Sequence, residues 1–390
     1  MAEALIPTGH EAQSYVCLRS LSGHGVGSII ASEKPKVPAA RSRYCSASVR
    51  VADPREDLLA YRDDLLAVAR RPTVETVIPI RPEDSYVLSR YREQFESVTN
   101  VVVPTFEQLQ AVIDRQRLIE VAATAGVPAP RTTRLDAVDD WTPQQLVKSR
   151  YNVLAEGVLP GMDASEIAVE KSLTHLAAGE QPDRRALREA MGHEPIVQEY
   201  IPSDAEYLVG ALYAHGDPLA LFQHRQVRGD SYTGGGGVYR KSVAIPELEA
   251  VARDLLGELD WHGLACIEYM RHEETGEFVL TEINPRMWQS LPSAVRAGAD
   301  FPGYYWLAAT DRRDAISCDY DVGVGTHLLH GELGHLLSII REDSPLVAKP
   351  SVAKRATEIV ASCLGDPNFD YLAMDDPRPF LRGVLNKVSN

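Results

Sequence analysis

The stretch Leu264–Arg286, LACIEYMRHEETGEFVLTEINPR, decides how this chain is read. Two strand-like runs, Leu264–Arg271 and Glu277–Asn284, flank a polar turn at His272–Gly276, the pattern of an antiparallel hairpin. A turn centred near Thr275 sets Glu268 directly opposite Glu282. Cβ atoms paired in this way lie ~4.5–5.5 Å apart, where like charges repel. Asn284, two residues beyond Glu282, shares its face. The strands are otherwise apolar (Leu264, Cys266, Ile267, Phe278, Val279, Leu280, Ile283), which reads as a buried hairpin, and unpaired buried carboxylates are costly. Two carboxylates and an amide oxygen form an oxygen-only set suited to Mg²⁺, which leaves further positions to nucleotide phosphates. Arg286 follows at the strand's exit, a guanidinium within reach of phosphoryl oxygens. The competing reading is an exposed hairpin whose acids face water and pair with Arg286. A slip of one residue in register would abolish the apposition.

Glu268 with Glu282-Ile283-Asn284-Pro285-Arg286 resembles the metal-binding signature of ATP-grasp enzymes. The continuation Met287–Pro292 and Ala297–Pro302 is similar to the carboxylate–amine ligase-like and carbamoyl-phosphate-synthase-like branch, and the resemblance runs with gaps over about residues 40–310. It implies ATP with one or two Mg²⁺ ions (Mn²⁺ as a substitute) held by Glu268, Glu282 and Asn284, with Arg286 on the transferring phosphoryl group.

The same resemblance extends upstream. Ile196-Val197-Gln198-Glu199-Tyr200-Ile201-Pro202 is similar to the family's adenine-holding hinge, which places Glu199, Tyr200 and Ile201 at the adenine and Glu206 at the ribose hydroxyls. Lys148 and Lys171 match the family's phosphate and adenine contacts, each as a compact positive charge. A glycine-rich phosphate loop expected between these lysines is absent, since Ser149–Glu170 holds only Gly157 and Gly161. The tract Arg228–Gly237, ending in four glycines, is read instead as a mobile loop over the phosphates or the acceptor. Arg225 and Arg228 beside it are candidate grips for a carboxylate or the γ-phosphate.

Toward the N-terminus, strand-like Ser46–Val51, Val74–Ile80 and Val101–Pro104 alternate with a helical face over Arg55–Arg70, which predicts βαβ units and a parallel sheet. Gly23-His-Gly25-Val-Gly27 has the wrong intervals for a dinucleotide fingerprint, which undercuts a Rossmann oxidoreductase. A helix over Asp114–Ala125 ends at Gly126 and the stiff Val127–Pro130, a natural joint; another spans Glu247–Asp260. The fold expected is α/β: a Rossmann-like (pre-ATP-grasp) domain over 1–110, then a two-subdomain α+β ATP-grasp fold over 111–312, divided near 195. A helical, loop-rich C-terminal segment fills 313–390 and either covers the site or pairs subunits in a homo-oligomer.

Composition narrows the function classes. A net charge of −15 argues against general nucleic-acid binding, and no apolar run approaches the ~20 residues of a membrane helix. The five cysteines (Cys17, Cys45, Cys266, Cys318, Cys363) show no metal or disulfide spacing, which suggests a reducing, cytoplasmic setting. The resemblance implies small-molecule carboxylate and amine substrates, joined through an acyl-phosphate. Two alternatives stay open: carbamate phosphorylation of the carbamoyl-phosphate-synthase kind, and a nucleotide-binding module without turnover.

Overall fold

Three of the four N-terminal strands are short and almost wholly buried, as befits a sheet covered on both faces, and only the edge strand Ala47–Arg50 is partly open. In the computed structural model, which describes residues 1–344 and 347–389, β1 (Glu3–Pro7), β2 (Gly27–Ser32), β3 (Ala47–Arg50) and β4 (Val74–Val77) form a parallel sheet of order β3-β2-β1-β4. The order reverses between β1 and β4. Around the sheet stand α1 (Ala12–Gly23), α2 (Leu58–Ala69), α3 (Pro82–Arg90) and the short α4 (Arg92–Glu96). Val101–Pro104, expected as a strand, is buried but unpaired. Its Val102 N–H donates to Tyr305 Oη at 3.0 Å instead of to a ladder.

Next come α5 (Phe106–Ile113), closed by a Thr105/Gln108 capping box, and α6 (Arg115–Thr124), capped by Asp114. Gly126 follows at φ +70°, the left-handed turn expected there. A small antiparallel sheet of order β5-β10-β6-β9 is made by β5 (Thr132–Arg134), β6 (Gln145–Lys148), β9 (Leu173–Leu176) and β10 (Ile196–Glu199). Between β6 and β9 lies a two-stranded ribbon, β7 (Val153–Ala155) and β8 (Ile167–Val169). With α7 (Arg184–Met191) the small sheet encloses its own minor core around Leu135, Trp141, Val147 and Met191.

The larger sheet has the order β15-β14-β11-β12-β13-β16. It contains β11 (Ser203–Ala214), β12 (Asp217–Ser231), β13 (Gly234–Val243), β14 (Gly263–His272), β15 (Phe278–Asn284) and β16 (Gly325–His327), with α8 (Pro246–Glu258) following β13. Beyond β15 run α9 (Leu291–Ala297), α10 (Phe301–Ala309), α11 (Leu329–Arg341), α12 (Val352–Gly365) and α13 (Arg378–Ser389). Among the described residues no helix is long and apolar enough to cross a membrane.

This sheet and the N-terminal domain share one core: Leu5, Ile29 and Val77 belong to the same apolar cluster as Val209, Ile267 and Ile283. Two glycines permit the close approach. A Cβ on Gly263, at φ +96°, would stand 2.7 Å from Val102 O, and one on Gly210 would overlap the indole of Trp288. Gly210→Ala should therefore displace Trp288 and cost about 1–3 kcal/mol through overpacking, seen as a lower Tm with β-sheet circular dichroism retained. An unchanged Tm would show that Trp288 can move aside.

Candidate active site

The acidic hairpin forms, with Glu268 paired to Glu282 and Cys266 to Asn284. The expected turn centre was half a residue off. Arg271 pairs with Phe278 and Tyr269 with Leu280, so the ladder near the turn sums to one less than the Glu268–Glu282 pair. Thr281 is the extra residue of a bulge, its hydroxyl donating to Glu268 O at 2.9 Å. This bulge restores the apposition that the register alone would miss.

Two contacts from the N-terminal domain fix the strand's exit. Ser85 Oγ donates to Pro285 O at 2.8 Å, and Met287 N to Pro79 O at 3.0 Å. Arg286 is thereby anchored between them. Its Nη1 donates to Met287 O at 3.1 Å, while its Nε is buried without a hydrogen-bond partner among the described residues.

These residues line a cleft of about 520 Å³ between the two antiparallel sheets. Lys148 enters from the small sheet, Lys171 from the link between β8 and β9, Glu206, Glu268, Glu282 and Asn284 from the large sheet, and Arg286 from just beyond β15. Arg115 was not singled out in the sequence, yet it lies here at the first turn of α6. Its Nη1 donates to Ser149 O at 2.7 Å and its Nη2 to Glu282 at 3.4 Å. An arginine at a helix start leaves no mark in a single sequence. His224, Gln226 and Asp230 also reach the cleft, because alternate residues of β12 face it.

The electrostatics are divided between the two acids. Burial pushes the Glu268 carboxyl well up, and the charges of Glu282 and Glu206 add to this. The Glu268 side chain is nonetheless open to the cleft; the desolvation comes from the dense protein around the cleft's mouth. Burial alone would raise Glu282 as well, but Arg115, a 2.7 Å hydrogen bond from Asn284 Nδ2, Lys171 and Lys148 together hold it below its usual range. Lys148 is drawn down to about 8 by burial and by Arg115, against the pull of both glutamates. His224 is buried, its Nε2 2.9 Å from Ser290 Oγ, and burial with the nearby Arg240 lowers it to about 3, so it is neutral.

Other expected site residues lie elsewhere. Arg225 sits on the opposite face of β12, exposed and paired across from Tyr207 and Lys241. A bulge after Gln226 takes Arg228 out of phase with the cleft-facing His224 and Gln226, setting it opposite Tyr239. There it is buried against Glu332 at 2.6 Å. Neither arginine opens to the cleft. The Glu199 carboxylate accepts from Arg131 N at 2.8 Å and Arg131 Nε at 2.6 Å, so it too faces away. Tyr200 and Ile201 form the link from β10 to β11, with Tyr200 N bonded to Gln144 O at 3.2 Å; neither side chain lines the cleft.

The glycine tract is a strand, not a loop: Gly234–Gly237 opens β13, and the turn is Tyr232–Thr233. The segment between the two lysines is held to the N-terminal domain rather than lying over the cleft. Leu58 N bonds Ser165 O at 2.9 Å, Tyr86 Oη bonds Glu156 O at 2.7 Å, and Val153, Ala155 and Ile167 enter the main core.

With this geometry in place, the arrangement of sheets can be matched to solved structures. The chain superposes on an ADP complex of N5-carboxyaminoimidazole ribonucleotide synthetase with a TM-score of 0.61, over 94% of this chain and 97% of that one, at 13% identity. The biotin carboxylase domain of Hydrogenobacter thermophilus 2-oxoglutarate carboxylase, with MgADP, ADP and bicarbonate, gives 0.59 over 83% and 73%, at 13% identity. The L-amino acid ligase from Bacillus licheniformis gives 0.57 over 83% and 79%, at 12%. The chain has the ATP-grasp fold. Identities this low establish the ATP-grasp fold alone, and no family model and no curated protein matches the sequence.

Within this ATP-grasp fold the two displaced arginines can be told apart by stability. Arg228→Ala leaves Glu332 buried without its guanidinium and should cost about 3–5 kcal/mol. Arg225→Ala, on an exposed face, should stay within about 0.5 kcal/mol of the parent. Thermal unfolding of the two variants side by side checks this, and equal Tm values would refute the placement of Arg228.

Proposed function

We propose that this chain is an ATP-dependent ligase that phosphorylates a substrate carboxylate and joins the acyl-phosphate to an amine, releasing ADP and phosphate. The observation that carries the reading is the Glu268–Glu282–Asn284 oxygen set beside Arg286, in a cleft that also holds Lys148, Lys171 and Arg115. Among the described residues no group of three His, Cys, Asp or Glu side chains is placed to hold a metal. Two carboxylates and one amide oxygen are fewer ligands than Mg²⁺ needs, which leaves positions for phosphate oxygens and fits a metal that arrives with a nucleotide. Facing like charges at Glu268 and Glu282 also fit a divalent cation between them, and the unpartnered Arg286 Nε fits an anion beside it. Glu268, Glu282 and Asn284 would hold Mg²⁺, or Mn²⁺ in its place, which when bound neutralises charge on the phosphates.

The chain's own residues do the rest. Arg286, fixed by the Ser85 and Pro79 contacts, presents a preorganised guanidinium to charge that develops on the transferring phosphoryl group. Lys148, Lys171 and Arg115 set positive charge along the phosphate chain. Glu206, held by Gln226, offers a carboxylate to the ribose hydroxyls. The backbone link at Glu199–Ile201 remains the segment proposed to meet adenine, through its main chain and not the Glu199 side chain. Transfer breaks the bond between the β- and γ-phosphates and forms the acyl–phosphate bond; attack by the amine then breaks that bond and releases phosphate. No side-chain nucleophile is needed.

Bicarbonate in a structural neighbour favours including bicarbonate among candidate carboxylates, which keeps the carbamate-type reaction as the second reading. The five cysteines are free thiols, in keeping with a cytoplasmic ligase, and a homo-oligomer would be seen by sedimentation. The test is ADP release from Mg·ATP across a panel of amino acids, small carboxylic acids and bicarbonate. Stimulation by a carboxylate–amine pair is expected, with turnover falling ~100-fold or more in Glu282→Ala and Arg286→Ala while Tm stays near the parent's. Tight Mg·ATP binding with no stimulation anywhere in the panel would instead support a nucleotide-binding module.

A further inference from the structure

A second cavity, of about 330 Å³, adjoins the cleft and shares Gln289 with it. It lies at the carboxyl ends of β1 and β2, where open parallel sheets present their loops to ligands. One side is apolar, made by Leu328, Leu329, Phe369, Leu372, Phe380 and Val384. The other carries His10, Glu11 and Lys34 from the loops after β1 and β2. Asp370 also lines it, but its charge is matched by Arg240 at 2.6 Å.

The polar side is built with some strain. Thr8, fully buried, holds φ +62°, a conformation that β-branched residues rarely adopt. Its hydroxyl lies 2.7 Å from His10 Nδ1 and so orients the imidazole. Glu11 and Ala12 bring the first turn of α1 to the wall, and no side chain caps that turn, so its N–H groups add positive potential. The apolar side is closed by the C-terminal segment, pinned to the N-terminal domain through Ser42–Asp376 at 2.5 Å, Arg19–Asp375 at 2.9 Å and Asn386–Lys36 O at 2.8 Å. Gly236 of the cleft packs closely on Gln289, since a Cβ there would stand 2.7 Å from Gln289 Oε1.

We propose that this cavity binds the amine substrate of the ligase, and that this substrate is an amino acid with an apolar side chain. Its carboxylate meets Lys34 and the start of α1, while His10, between Thr8 and Glu11, walls that side; its side chain lies on the apolar wall, and its amine is directed toward Gln289 and the cleft. The proposal rests on the ligase reading for the role of the ligand, but its binding test does not need turnover.

Calorimetric titration of L-phenylalanine and L-leucine, with 2-phenylethylamine as the probe lacking a carboxylate, is the experiment. Gly383→Trp fills the cavity from α13, where a Cβ has nothing nearer than Pro38 Cγ at 3.9 Å. Lys34→Met removes the cation. At least one of the two amino acids should bind the parent. Its affinity should fall at least 20-fold in Gly383→Trp and about 10-fold in Lys34→Met, and 2-phenylethylamine should bind at least 10-fold more weakly than L-phenylalanine. Mg·ADP titrated into each variant reports an intact cleft. Equal amino-acid affinity in parent and Gly383→Trp, or no binding of either amino acid to a parent that binds Mg·ADP, would overturn the proposal. Failure of the ligase reading would show separately, as ADP release that no substrate pair stimulates.

Discussion

Two carboxylates, Glu268 and Glu282, face each other across neighbouring strands, and much of the molecule serves to hold them there. When both are ionised, carboxylates paired this closely repel. A hairpin alone would relieve that by slipping or fraying. Here it cannot slip, because the Thr281 bulge locks the register and β14 is paired along most of its length to β11. It cannot fray at its exit, because Pro285 and Met287 are bonded to the N-terminal domain. The charge is instead compensated unevenly. Arg115, Asn284 and the lysines favour ionised Glu282, and Glu268 is left with a raised affinity for a proton or another cation.

The N-terminal domain thus does more than flank the site. Its β4–α3 loop and the first turn of α3 supply the two contacts at the exit of β15, its core is continuous with that of the large sheet, and its Val102–Val103 backbone packs against Gly263. The small sheet differs, with a core of its own. Lys148, at the end of β6, therefore sits on an element less tightly coupled to the carboxylates than Arg286 is. Such an arrangement suits a site where the acidic half is rigid and the cationic half can adjust around a ligand.

How much of this was legible in the sequence depended on the range of the signal. The helix over Asp114–Ala125, the strands near Ser46–Val51 and Val74–Ile80 and the hairpin itself follow from local periodicity and turn chemistry, whereas the Glu268–Glu282 pairing also needed the Thr281 bulge, and β1 and β2 were not read as strands. Arg115 and Gln289 were invisible because their place in a cleft comes from long-range packing. Arg225 and Arg228 were misjudged for a related reason. Proximity to a glycine tract suggested a loop, but the tract pairs as β13, and strand alternation then turned Arg225 outward. The bulge after Gln226 did the same to Arg228 in the other direction, delivering it to Glu332. Val101–Pro104 has the composition of a strand, yet its donor at Val102 is taken by Tyr305, whose hydroxyl also reaches Val77 O at 2.9 Å.

The segment between Lys148 and Lys171 bears on how the cleft closes. A phosphate-covering loop must be free to move, and this one is tied down at both flanks: Arg150 makes a two-pronged ion pair with Asp114, and the β7–β8 ribbon buries Val153, Ala155 and Ile167 in the shared core. The stapled ribbon leaves Lys148 at the end of β6 in the small sheet, and Lys171 in the short link from β8 to β9. The small sheet is joined to the large one by the short β10–β11 link, and its own core stays separate from the shared one.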